Sequence, residues 1–221
     1  MRLGIVLILS VICTASARAQ QTRPATAPAT PKETLRTLNL ALRDGDAETV
    51  KSLFQTTTAE GKKMVGAMAD YAAALADLHR AAGKAFGPEG ANTVTGDTAA
   101  ESADGLAAID HAEESINGQT ATVKYAGATD PAVTLVRVNG TWKLPLSQLL
   151  NGADKVTEER RLTELATQTK VANETTADIA GGKYKTPEKA AEVWRARLLQ
   201  TVLPKPATRP AEANKDAPVA G

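Results

Sequence analysis

The sequence predicts an α+β domain: a curved, four-stranded antiparallel meander packed against a long helix, with additional N- and C-terminal helices. Three observations carry that prediction. Two Asn-Gly dipeptides, Asn117-Gly118 and Asn139-Gly140, sit between alternating runs, and both residue types tolerate the positive φ that a two-residue type I′ hairpin turn demands. Met64, Met68, Tyr71, Leu75, Leu78 and Ala82 recur at steps of four and three, which draws one apolar stripe along a helix. Thr30-Pro31 and Thr186-Pro187 place a capping residue ahead of a proline, the usual opening of a helix.

In chain order, Met1-Arg2, an apolar run from Leu3 to Cys13 and Ala17-Arg18-Ala19 read as a secretory signal peptide, residues 1–19, cleaved after Ala19. The run is too short to span a bilayer. Val11-Ile12 lacks the small residues that a lipoprotein carries before its cysteine. The expected location is therefore periplasmic or secreted, with no integral membrane segment after cleavage. Residues 20–31 are Pro/Ala/Thr-rich and read as an extended linker.

From residue 32 to 152 the pattern is that of a cone-like α+β domain. Thr30 and Glu33 form a capping box, Leu35, Leu38 and Leu42 share one helical face, and Gly45 and Asp46 end one helix and cap the next. The spacing of Asp44-Gly45-Asp46 lacks the ligand loop and bidentate Glu that calcium requires. Thr57 and Glu60 predict the start of the long helix, and Gly87-Pro88 its stop, with His79 solvated beside the stripe. Residues 87–104, rich in Gly, Thr, Asn and Asp, predict a long surface loop and a candidate lid. The first hairpin is expected to pair Ile116 with Gln119, and so Asp110 with Tyr125; the second pairs Leu135 with Leu144 and Arg137 with Trp142. Residues 153–203 read as a C-terminal helical extension, a helix from Asp154 to Ala180 and another from Pro187, and 204–221 as a disordered tail.

Composition excludes several chemistries. Cys13 is the only cysteine, so the mature chain has no disulfide, thiolate nucleophile or cysteine-bound metal. Without Arg2 and Arg18 the 26 basic residues become 24, against 25 acidic ones. That balance gives no electrostatic case for nucleic acid or an anionic membrane. At 3% aromatic, the chain has little with which to stack bases or sugars. Two histidines without H-x-x-x-H spacing leave no zinc motif, and there is neither a G-x-S-x-G elbow nor a phosphate-cradling loop. No cofactor is expected.

Two stretches carry a resemblance. The run Ala41-Leu42-Arg43-Asp44-Gly45-Asp46 through Phe54 resembles the early helices of the nuclear transport factor two-like superfamily, which includes ketosteroid isomerase-like and SnoaL-like proteins. The pair Val133–Val138 and Thr141–Leu144 around Asn139-Gly140 is similar to its closing hairpin. The resemblance implies a curved sheet around a long helix with a pocket at the open end, lined here by Tyr71, Leu75, Asp110, Tyr125 and Trp142. Two departures stand beside it: residues 57–86 are all helix, and the two C-terminal helices have no counterpart. An isomerase-like reading makes Asp110 a general base and Tyr125 an oxyanion donor, because burial raises a carboxyl pKa and strengthens the donor. A Tyr hydroxyl facing a carboxyl is more often a satisfied core pair. The reading is therefore an exported, non-catalytic module for an unknown small apolar ligand or a protein partner. The alternatives are a small-molecule isomerase or hydrolase, and an envelope protein forming a homo-oligomer through its C-terminal helices and Trp194.

Overall fold

A computed structural model describes residues 30–127, 132–150 and 154–202, with side chains as far as Gln200. The expected signal peptide and linker up to residue 29, the expected boundary at 152–153 and the expected tail from 204 lie outside the described residues. Within them, seven helices accompany one sheet.

Helix α1 (Pro31–Asp44) opens on the predicted capping box, Thr30 Oγ1 accepting from Glu33 N and Glu33 Oε2 accepting from Thr30 N at 3.0 Å. It closes at Gly45 (φ 72°), and Asp46 caps α2 (Ala47–Leu53) by accepting from Thr49 N. The chain then forms a two-residue strand, β1 (Phe54–Gln55). Helix α3 (Ala59–Thr95) starts one residue later than predicted, capped by Thr58. The helix breaks at the expected Gly87-Pro88: Gly87 takes φ 78°, ψ 176°, and a second helical arm starts at Pro88 and turns back. His79 Nδ1 consequently lies 2.7 Å from Thr95 Oγ1, sixteen residues on. An unbroken helix would hold them roughly 24 Å apart at ~1.5 Å per residue. Gly90 makes the close return feasible, since a Cβ there would meet Phe86 Cβ at 2.3 Å.

The predicted surface loop at 87–104 is therefore corrected to helix: the returning arm of α3, then α4 (Thr98–His111), capped by Asp97 accepting from Ala100 N. His79 is also corrected. It is 5% exposed rather than solvated, and burial lowers its pKa while Asp97 opposes the shift. Alpha4 is held on α1, where Ser102 Oγ donates to Asn39 Oδ1 at 2.8 Å in a buried contact.

The sheet is five-stranded and mixed rather than a four-stranded meander. Its order is β1-β5-β4-β3-β2, with β2 (Glu113–Asn117), β3 (Thr120–Lys124), β4 (Val133–Val138) and β5 (Thr141–Pro145) antiparallel in sequence and β1 parallel to β5. The second hairpin follows its predicted register, Arg137 opposite Trp142, and Asn139 (φ 51°) and Gly140 (φ 82°) both take the positive φ of a type I′ turn. The first does not. Only Gly118 (φ 60°) is positive, so the two-residue loop is Gly118-Gln119, as a type II′ turn places its glycine, and Asn117 pairs with Thr120. Every partner moves: Val123 faces Glu114, and Asp110 falls in α4 instead of opposite Tyr125.

The inner face, Ala121, Val123, Leu135, Trp142 and Leu144, joins a core with Leu35 and Leu38 of α1, Val50 and Leu53 of α2, and Met64, Val65 and Tyr71 of α3. The closest cover of the strands is α1 and α2, not the long helix. Alpha3 runs chiefly along α6 (Lys155–Ala180) and α7 (Pro187–Val202), where Ala74, Leu78, Ala82, Ala91 and Val94 build a second core with Ala172, Ile179, Ala191 and Trp194. Alanines on its several faces let neighbours approach from more than one side. A short α5 (Leu146–Leu150) follows β5. Alpha6 and α7 are clasped at Asp178, whose Oδ2 accepts from Arg197 Nη2 (2.7 Å), Tyr184 OH (2.9 Å) and Lys183 Nζ (3.1 Å). No described helix is long and apolar enough to cross a membrane.

Two outcomes follow for stability. Gly90→Ala should cost about 1–3 kcal/mol in urea unfolding by forcing Phe86 aside. Gly83→Ala, whose Cβ would meet Ala91 Cβ at an ordinary 3.7 Å, should gain up to about 1 kcal/mol from helix propensity. The Asp178 clasp, chiefly Arg197 and then Tyr184 and Lys183, holds that carboxyl at about 2, below its ordinary 3.8. A depressed carboxylate contributes stability that is complete above the unfolded value and lost as pH falls through the folded one. Asp178→Ala should thus destabilise by about 1–3 kcal/mol at pH 7. The gap to the parent should close between about pH 4 and pH 2 when unfolding is followed by circular dichroism.

Candidate functional site

Beta1 and β5 run parallel as neighbours, Phe54 beside Leu144 and Gln55 beside Pro145. Both therefore leave the sheet at the same end. Residues 56–58 lead from β1 into α3, whereas Pro145 leads directly into α5. The opening turns of α6 complete the ring, leaving a cleft of about 280 Å³. Its floor is apolar: Met64 and Leu146, each 4% exposed, with Leu150 and Leu162 partly buried beside them. Hydroxyls of Thr56, Thr57, Thr58 and Ser147 and the side chains of Glu60, Lys155, Glu158 and Glu159 form the rim.

Local chemistry sets this geometry. Thr58 Oγ1 accepts from Gly61 N at 2.9 Å and Asp154 Oδ1 from Thr157 N at 2.8 Å, so each helix entering the cleft is capped by its own side chain. The Thr157 backbone N–H, and after it the Thr157 hydroxyl, hold the Asp154 carboxyl below its ordinary pKa. Gly61 brings α3 against α5, because a Cβ there would already lie 3.2 Å from Leu146 Cδ2.

The residues singled out from sequence lie elsewhere. Tyr71 is buried in the sheet core, its hydroxyl pushed up to about 12 by burial. Tyr125 packs partly buried on the same core, and burial raises its pKa as well. Trp142 is 3% exposed, with the Arg137 guanidinium 5.8 Å from its ring centroid, the predicted cation–π stack. Leu75 sits half-buried where the two cores adjoin. Asp110 stands apart, half-exposed near the end of α4, ion-paired with Arg36, its backbone oxygen accepting from Lys32 Nζ at 2.9 Å. The structure thus gathers Tyr71, Tyr125 and Trp142 into packed core and does not set Asp110 across from Tyr125. None of the five lines the cleft. Trp194, expected at an oligomer contact, is 5% exposed inside the helical core of its own chain.

Periodicity missed the cleft because its residues come from three segment ends. The one trace in the sequence is the run Thr56-Thr57-Thr58 with Gly61 in the turn that follows. Among the described residues no three His, Cys, Asp or Glu side chains converge as a metal site would require. Compared with family models, curated proteins and solved structures, the chain matches none of them.

Proposed function

We propose that this protein is an exported, non-catalytic module that binds a small, largely apolar ligand in the cleft at the end of the β1–β5 pair. The observation that carries the reading is an apolar floor of Met64, Leu146, Leu150 and Leu162 beneath a rim of hydroxyls. Ligand sites have that character, an apolar body with a few orienting polar groups. No Ser, Thr or Lys of the lining is hydrogen-bonded to a neighbouring carboxylate among the described residues, as an activated nucleophile would be. Export rests on the basic, apolar and A-x-A order of residues 1–19.

Kinship with the nuclear transport factor two-like superfamily belongs to the same proposal. Its support is that the two resembling stretches meet, Phe54 beside Leu144, at the edge of the cleft. In that family plan the pocket opens at the sheet's end.

A volume of about 280 Å³ holds on the order of ten non-hydrogen atoms, at ~30 Å³ for each water-sized unit. Binding should then fall between micromolar and millimolar, about 4–8 kcal/mol. Titration with 1-hexanol, followed by methyl NMR, should shift Met64, Leu146, Leu150 and Leu162 first, and Ser147→Trp should abolish the shifts by filling the cleft. Shifts centred on Tyr125 and Trp142, or none at all, would remove the proposal.

A further inference from the structure

The charges on the rim go further than the apolar floor. We propose that the cleft is selective for a small organic cation, an apolar body of about ten non-hydrogen atoms carrying one ammonium group; this rests on the reading of the cleft as a ligand site. Three carboxylates, Glu60 from α3 and Glu158 and Glu159 from α6, belong to the lining, with Lys155 as its single base. No side-chain hydrogen bond or ion pair to another described residue engages any of the four. Farther along α6 the acids behave differently. Glu164 pairs with Arg160, Glu174 with Lys170, and Asp178 with Lys183 and Arg197. The unpaired acids of that helix thus include the two that face the cleft.

Two helix starts converge here, and a helix start ordinarily favours an anion. In this cleft that preference is reduced. Thr58 and Asp154 occupy N–H groups of their helices, and Glu60 and Glu158 sit in the first turns, where they compensate the dipoles. An incoming anion would meet three carboxylates against one ammonium group, a formal excess of two negative charges that the two helix dipoles offset only in part. A cation gains what an anion loses. Its apolar body covers Met64, Leu146, Leu150 and Leu162 while its head lies among the carboxylates and the hydroxyls of Thr56, Thr57, Thr58 and Ser147. Rim carboxylates are solvated and their ion pairs weak, so the selectivity is several-fold and sensitive to salt.

Three probes of matched chain length decide it on the mature protein by isothermal titration at low ionic strength: hexylamine (protonated at pH 7), 1-hexanol and hexanoate. Hexylammonium should bind about three- to tenfold more tightly than 1-hexanol, with hexanoate weakest. Salt at 0.5 M and the Glu158→Gln/Glu159→Gln variant should each bring the ammonium-to-alcohol ratio close to one. Circular dichroism and a single cooperative urea transition establish that the variant is folded. Equal affinity for hexylammonium and 1-hexanol overturns the cation selectivity and leaves the cleft standing as a ligand site. Tightest binding by hexanoate overturns it in favour of an anion. Absence of binding by all three overturns both readings.

Discussion

Everything in this architecture depends on α3 being buried along more than one face. Its first turns, with Met64, Val65 and Tyr71, belong to the core beneath the sheet, and its later turns, with Leu78 and Ala82, belong to the core shared with α6 and α7. A helix that is apolar on one stripe can serve one partner; one lined with alanine between larger residues can serve several. The reversal at Gly87 adds to this, returning Ala91 and Val94 to the helical core within the same element. His79 and Thr95 join the two arms by a part-buried hydrogen bond.

The cleft is a consequence of that shared helix. Only the opening turn of α3, Glu60 to Met64, projects to the end of the sheet where β1 and β5 stop. Alpha6 reaches the same place because it packs along α3 for much of its length. The C-terminal helices pack along α3, and Lys155, Glu158, Glu159 and Leu162 complete the wall of the cleft.

Where a local chemical rule acts alone, the sequence is a faithful guide. Thr30 with Glu33, Gly45, Asp46 and Asp154 each cap or end a helix where their side chains or conformations say they should. Asn139-Gly140 forms the expected turn and sets Arg137 over Trp142. Failures come where tertiary partners outweigh the local rule. Asn117-Gly118 has the same dipeptide, yet the turn lies one residue later, because Asn117 pairs with Thr120 at the strand end. Helix α4 carries Gly105 and several Ala and Asp residues with no strong stripe, and it owes its place to α1 through Ser102 and Asn39. Strand β1 is two residues long, below any periodic signal. The cleft was illegible for a related reason. Its lining is contributed by ends of elements far apart in the chain, and Tyr71, Tyr125 and Trp142, which look functional as types, are spent on the core.

The chain holds two tryptophans, and each reports on one core, Trp142 on the sheet side and Trp194 on the helical side. Urea unfolding of the Trp142→Phe and Trp194→Phe variants, each followed by the fluorescence of its remaining indole and by circular dichroism, tests whether α3 joins those cores into one unit. Within each variant the indole and backbone transitions should coincide, at one midpoint and one slope. A variant whose indole environment melts well before its helical signal would show two independently folding parts, and would contradict the shared helix on which the cleft depends.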